Sequence, residues 1–407
     1  MKSVLFVGAG RHQRRAIEHA RARGLRVVAV DRNEHAPGLA VADVAEVVDF
    51  TDAGAVTEVA RQHGIDGVLT VSADRAVPVV AAVAEDLGLP GIGRATAYRM
   101  THKLEMRSAL GAAGVPQPPF AAVRTPEDAA DALETVPLPA VLKPVDSGGQ
   151  RAVFRIESRA DLDANLHDAV AESPTGEAIV EAFVDGSELN GIVIARDGEP
   201  EHLTLSDRLR PPGIGFGVGW MHVYPPTIPD EQRERAERVA EDSVRALGLR
   251  TGIAFPQLIA SPDGSVAVVE VAARIPGGQM ADLVRHAVGV DLVEIALRQA
   301  LGEEVPDELA RARFTQPLAI RFFTAQPGPL PTGRVLAIGS LDRLLAADGV
   351  VQADTYLEVG ETIRPVRRDG DRRGYVIAVA DTSEEAVARA DNAASLLQVE
   401  VEAEAAA

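Results

Sequence analysis

The sequence predicts a mixed α/β and α+β protein of more than one domain. Short β-rich runs alternate with helical patterns at the start of the chain, from Ala140 onward the strands follow one another as pairs, and the length is too great for one small core. With 407 residues, 46% of them apolar and 25% charged, the chain has the composition of an ordinary globular protein, and its length suggests roughly two to four domains. A net charge of −19 repels a phosphate backbone, which argues against general nucleic-acid binding. The absence of cysteine rules out disulfides, thiolate catalysis and cysteine-ligated metals, and it fits a reducing cytoplasm. The opening MKSVLFVGAG is too short an apolar run for a secretory signal. No segment approaches the roughly 18 apolar residues that span a bilayer, so a cytoplasmic chain without a membrane partner is expected.

The first elements are a strand at SVLFVGA, a helix through RRAIEHARARG, a strand at RVVAVD, a helix near AVTEVARQHG and a strand at DGVLTV. Such alternation predicts a parallel, doubly wound sheet. A second set of signals begins near Gly91, puts Lys103 in a helix and closes at the proline-rich GVPQPPF. Strands then follow at AVLKPV, AVFRI, EAIVEAFV and ELNGIVIA, the last two joined across the turn DGS. A third region starts near Phe314 with QPLAIRFFTA and ends in YVIAVADTSEEAVARADNAASLL, where Thr382 and Glu385 have capping-box spacing. No internal repeat is found, and the final EVEAEAAA reads as frayed.

Gly8 and Gly10 follow the first strand, and Asp31 ends the second. Glycines there let a backbone approach a pyrophosphate, but Gln13 replaces the third glycine of the dinucleotide pattern, so turn-forming glycines without a nucleotide are expected. Lys143 ends an apolar run in PAVLKPVDSGGQRAVF. An edge-strand lysine snorkelling to water is the ordinary alternative. Ser147, Gly148 and Gly149 favour another reading, because their backbone N–H groups and a compact cation just before them suit phosphate oxygens. Glu181 and Glu188, on either side of DGS, suit a base amino group and ribose hydroxyls. A two-residue turn at Asp263 and Gly264 sets Gln257 opposite Glu270, and two oxygens on one face suit Mg²⁺. A three-residue turn starting at Pro262 shifts the register by one and separates them.

In this order the motifs resemble the ATP-grasp superfamily over nearly the whole chain. GVLTVSADRAVPVVAAVAEDLGLPGIG resembles the end of a pre-ATP-grasp domain, and THKLEMRSALGAAGVPQPP the segment that carries a first ATP-contacting lysine, Lys103. VLKPVDSGGQRAV is similar to the second lysine, Lys143, with its mobile loop; VEAFVDGSE, with Glu181, Ala182, Phe183 and Glu188, to the adenine and ribose hinge; and VVEVAARIPGG to the metal strand and its arginine, Arg274. AIRFFTAQPG and GYVIAVADTSEEA are similar to the C-terminal domain of the branch with biotin carboxylase and bacterial L-amino-acid ligases. The resemblance implies a Rossmann-like pre-ATP-grasp domain over 1–94, an ATP-grasp domain over 95–312 and a mixed α/β C-terminal domain over 313–407. It departs from the family pattern at His102, Ala152, Gln257 and Ala272, where aspartate, glycine, glutamate and asparagine are frequent.

The resemblance also implies ATP and Mg²⁺, with Mn²⁺ as the alternative ion, held at Gln257 and Glu270. Its chemistry is a carboxylate–amine ligation through an acyl phosphate, with Lys143 and Arg274 as catalytic groups and the SGG loop closing against water. Bicarbonate activation and non-catalytic nucleotide binding are the competing functions. A glycine-rich stretch, SDRLRPPGIGFGVGWMHVYPP, offers Arg208, Arg210, Trp220 and His222 to a substrate carboxylate, beside Arg274, Gly277 and Gly278. Small carboxylic acids and amines are the expected partners, and a homodimer the assembly to be tested.

Overall fold

The computed structural model describes residues 1–211 and 217–402. Strands Ser3–Val7, Arg26–Asp31, Val44–Val47 and Gly67–Leu69 form a parallel sheet, with the first strand between the second and the last. Ser3–Val7 is buried along its length, as a strand covered on both faces must be. The predicted alternation is therefore observed, with one addition: Val44–Val47 pairs at the edge, and its every-other-residue burial makes it a weak sequence signal. Gln13 folds back over the glycine turn and donates from its side-chain amide to the Val71 carbonyl. Asp31 accepts from the Ala9 N–H at 2.9 Å. Asp31 thus holds the turn itself, and Gln13 packs against Gly8 and Gly10 while bonded to Val71.

Two further sheets enclose the cleft. A four-stranded antiparallel sheet runs in the order Phe120–Val123, Ala178–Ala182, Ala140–Pro144, Phe154–Ile156. An eight-stranded antiparallel sheet runs from Val266–Ala272 through Gly252–Ala260, Ser187–Arg196, Glu199–Leu209, Met221–Tyr224, Leu318–Phe322 and Gly374–Val379 to Val350–Thr355. The DGS turn is not the mouth of a hairpin: the strands it joins lie in different sheets, so the chain crosses there from one lobe to the other. Gly186 permits the crossing, because a Cβ there would collide with the Ala260 carbonyl, and its φ is +150°. The larger sheet continues past residue 313, since three of its strands come from the last third of the chain. A small sheet of three strands includes Val399–Glu402, so part of the tail read as frayed is paired; residues 403–407 lie outside the described residues. Among the described residues no helix is long and apolar enough to cross a membrane.

Candidate active site

The helix Lys103–Ala112 starts against the smaller sheet, where the Lys103 N–H donates to the Val145 carbonyl at 2.8 Å. Lys103 and Lys143 are both buried. The Lys103 ammonium donates to the Ser147 carbonyl at 2.9 Å and lies 3.7 Å from a Glu270 carboxylate oxygen. Lys143, at the end of its strand, lies 2.7 Å from Glu181. The second Glu181 oxygen accepts from Arg107 Nε at 2.8 Å. Burial works against charge on Glu181, but Arg107 and Lys143 outweigh it and hold its carboxyl down at about 2. The carboxylate assigned to a base amino group is thus already engaged by two cations. At the hinge, the N–H groups of Ala182 and Phe183 donate to Pro119 and Pro139 carbonyls, each at 2.9 Å.

Gln257 does stand opposite Glu270, but not for the predicted reason. The turn has three residues, 262–264, closed by the Ser261 N–H to the Ser265 carbonyl at 2.9 Å, with Gly264 at φ +85°. Near the turn Leu258 faces Val268; beyond it Gln257 faces Glu270, and Val269 is left as the extra residue of a β-bulge. The bulge restores the pairing that the longer turn would have broken. Gln257 and Glu270 are half-buried neighbours beside Lys103. No group of three or more potential metal-binding acids and histidines forms among the described residues. A pair of protein oxygens completed by phosphate and water is the donor set that suits Mg²⁺, so these two residues fit the implied ion.

Arg274 binds Asp74, from the N-terminal region, through Nε at 2.8 Å and Nη2 at 2.6 Å. Its Nη1 is buried with no hydrogen-bond partner among the described residues. Asp74 also bounds the SGG loop, since a Cβ on Gly148 would sit 3.1 Å from Asp74 Oδ2. The Ser147 hydroxyl donates to Glu172 at 3.1 Å, and Gly149 adopts φ +73° with open space around it. Gly277 approaches Ser72, and Gly278, at φ +65°, leaves room for His222 and Arg372.

Glu188 does not lie open to a ribose: Arg208 donates to one of its oxygens, and Arg210 Nε lies 3.0 Å from the other. Arg208 also reaches Asp369 at 3.3 Å and the Gly217 carbonyl at 3.1 Å. Arg372 binds the same Asp369 at 2.7 Å and stacks 3.9 Å from the centre of the Phe322 ring. Burial, which Asp369 opposes, pulls the Arg372 guanidinium down to about 10. Burial, with Arg372 and Arg208 nearby, holds His222 well below its ordinary value; Asn190 lies 3.2 Å from its Nδ1. Trp220 is engaged elsewhere, with Arg321 3.8 Å from the centre of its ring and bound in turn to Asp391. Of the glycine run in this stretch, Gly213 and Gly215 lie at 212–216, outside the described residues.

Sequence reasoning missed Arg107, Asp74, Asp369 and Arg372. Arg107 had a signal, since it lies one helical turn after Lys103 and shares its face. Arg372 had none, because RRDGDRRGY reads as a solvated charge run. His102, where aspartate is frequent, is buried 3.7 Å from Glu177.

Residues 102–308, half of the chain, match the family described as carbamoyl-phosphate synthase L chain, ATP binding domain. The chain belongs to the ATP-grasp ligases. Residues 17–91 of this ATP-grasp chain match the ATP-grasp N-terminal domain, and residues 321–402 match L-amino acid ligase C-terminal domain 2. It is 29% identical over 343 residues to the uncharacterized protein y4rH of Sinorhizobium fredii, covering 80% of this chain and 66% of that one. It is 28% identical to the formate-dependent phosphoribosylglycinamide formyltransferase of Ignicoccus hospitalis, covering 98% and 96%. Its fold superposes on the L-amino acid ligase from Bacillus licheniformis with a TM-score of 0.85 at 24% identity, over 99% of each chain. The phosphoribosylglycinamide synthetase from Anaerococcus prevotii gives 0.79 at 19%, over 98% and 100%.

Proposed function

We propose that the protein joins a small carboxylic acid to an amine at the expense of ATP, releasing ADP and phosphate. The observation that carries this reading is the convergence of two buried lysines on Glu181 and Glu270, with Gln257 opposite Glu270. Such an arrangement suits a polyphosphate held against a metal-binding pair. Lys103, Lys143 and the Ser147–Gly148–Gly149 backbone bind and orient the phosphates. Gln257 and Glu270 would hold Mg²⁺, or Mn²⁺ in its place. When bound, that ion neutralises the charge of the transferring phosphoryl group.

In this mechanism a substrate carboxylate oxygen attacks the γ-phosphorus, the bond to the ADP oxygen breaks, and an acyl phosphate forms. The amine nitrogen then attacks the acyl carbon, phosphate leaves and the nitrogen loses a proton. Arg274 stabilises charge on the acyl phosphate and its tetrahedral successor; its unpartnered Nη1 is the available donor. The SGG loop excludes the water that would hydrolyse the acyl phosphate. Arg208, Arg210 and His222, joined by Arg372, form the end of the cleft that receives the acid, next to Gly277 and Gly278. A screen of acids and amines with ATP and Mg²⁺ is expected to give ADP release that requires both members of one pair. Turnover that needs bicarbonate and no other acid would move the chain to carboxylation, and tight ATP binding with no turnover on any pair would make it a nucleotide-binding protein.

A further inference from the structure

Arg107 is 1% exposed and uses three of its nitrogens on two different strands of the cleft. Nε donates to Glu181 on the hinge strand at 2.8 Å, Nη1 to the Val268 carbonyl at 2.9 Å and Nη2 to the Val269 carbonyl at 2.7 Å. Val266–Ala272 is an edge strand, so outward carbonyls there have no neighbouring strand to accept from. In a regular strand successive carbonyls point to opposite edges. Here two in succession meet one guanidinium, which requires the peptide rotation of a bulge. Burial along the strand slips phase at the same point, with Val269 and Glu270 both half-buried in succession.

We infer that Arg107 is a positioning residue that fixes the Val269 bulge, and through it the alignment of Glu270 with Gln257; at the hinge Lys143 also holds Glu181, so nucleotide binding does not depend on Arg107. The inference rests on the metal assignment of the proposed function. A three-residue turn without the bulge puts Val269 opposite Gln257 and turns Glu270 to the other face. The planar fork is what lets one side chain reach a carboxylate and two carbonyls; a lysine cannot reproduce it. Arg107 also leaves the same helix one turn after Lys103, so the phosphate lysine, the hinge and the metal strand share one anchor.

The test measures Mn²⁺ binding by electron paramagnetic resonance in the presence of ADP, and ADP binding by calorimetry in excess chelator. Both are run on the full chain, wild type and Arg107→Lys, with circular dichroism as the check on folding. The expected result is a metal affinity at least tenfold weaker in Arg107→Lys, with metal-free ADP affinity changed less than threefold. Unchanged metal affinity in a folded variant overturns the inference, as does an equal fall in both affinities. If Arg107→Lys does not fold, Arg107→Gln is measured in the same way; if neither folds, Arg107 is a structural residue and the assignment falls. Wild type that binds ADP but no Mn²⁺ would overturn the metal reading itself, a result distinct from any change confined to the variants.

Discussion

The two ends of the cleft hold the same balance of charge in different ways. At the proposed nucleotide end Lys103, Lys143 and Arg107 share Glu181 and Glu270; at the proposed substrate end Arg208, Arg210 and Arg372 share Glu188 and Asp369. Each cluster has three cations and two anions, and an anionic ligand suits both. The difference lies in how tightly the surplus is held. Glu270 is about a third exposed and only 3.7 Å from its lysine, so its oxygens are open to exchange. Glu188 has both oxygens taken by arginines, and Arg208 is engaged on three partners. On the proposed function the first end can take its ligand directly, whereas at the second an anion must displace internal carboxylates or find the donors they leave. Selectivity for the acid is therefore expected to depend on how well it replaces Asp369 or Glu188.

The largest break in this comparison is Glu270→Ala, which removes the only charged member of the proposed metal pair. Turnover measured as ADP release should fall on the order of 10³-fold or more, with folding retained because the side chain is partly exposed. Wild-type turnover at added Mg²⁺ would show that the nucleotide end does not work through this residue. Next in size is Arg274→Lys, where a point charge replaces a fork whose Nη1 is free for a reacting oxygen. A loss of about 10²-fold in kcat is expected, while calorimetry finds ATP affinity unchanged. If the two fall together, Arg274 belongs to nucleotide binding and the boundary between the two ends lies elsewhere.

How far each end could be read from sequence follows from the same contrast. Lys143, the SGG loop, Glu181 and the Gln257–Glu270 hairpin are local: strand ends, turns and a register that short-range geometry constrains. Even there the outcome was right for a different reason, since the three-residue turn and the bulge at Val269 cancel each other. A bulge depends on what lies outside the strand, here Arg107, and a hairpin pattern carries no trace of it. DGS looked like a hairpin turn because nothing in three residues states which sheet each flanking strand joins. Beside Arg208 one partner, Asp369, is contributed from 161 residues away, and Arg372 approaches His222 and Gly278 from the same distant segment. Composition there predicts solvation, and tertiary closure overrides it.

Lys143→Ala sharpens the comparison from inside the nucleotide end. Arg107 continues to hold Glu181, so the variant should fold, but a desolvated cation facing phosphate is gone. The ATP concentration needed for half-maximal turnover should rise about tenfold or more. An unchanged ATP dependence would return Lys143 to a strand-end lysine with no ligand.

The smallest expected effect probes the substrate end through pH. Burial, then Arg372 and Arg208, keep His222 well below its ordinary 6.5, so the folded protein resists a proton that the unfolded chain accepts. The unfolded state then binds more protons between the depressed value and 6.5, and stability rises with pH across that window and is lost as pH falls through it. Glu181 acts in a separate range, because its stabilisation is lost only as pH falls from 4.5 toward about 2. His222→Gln keeps a polar group beside Asn190 and removes the titration. The slope of unfolding free energy below pH 6.5 should therefore flatten relative to wild type. A slope equal to wild type would mean that His222 gains its proton without cost beside Arg208 and Arg372, and that the substrate end is open to water rather than latched.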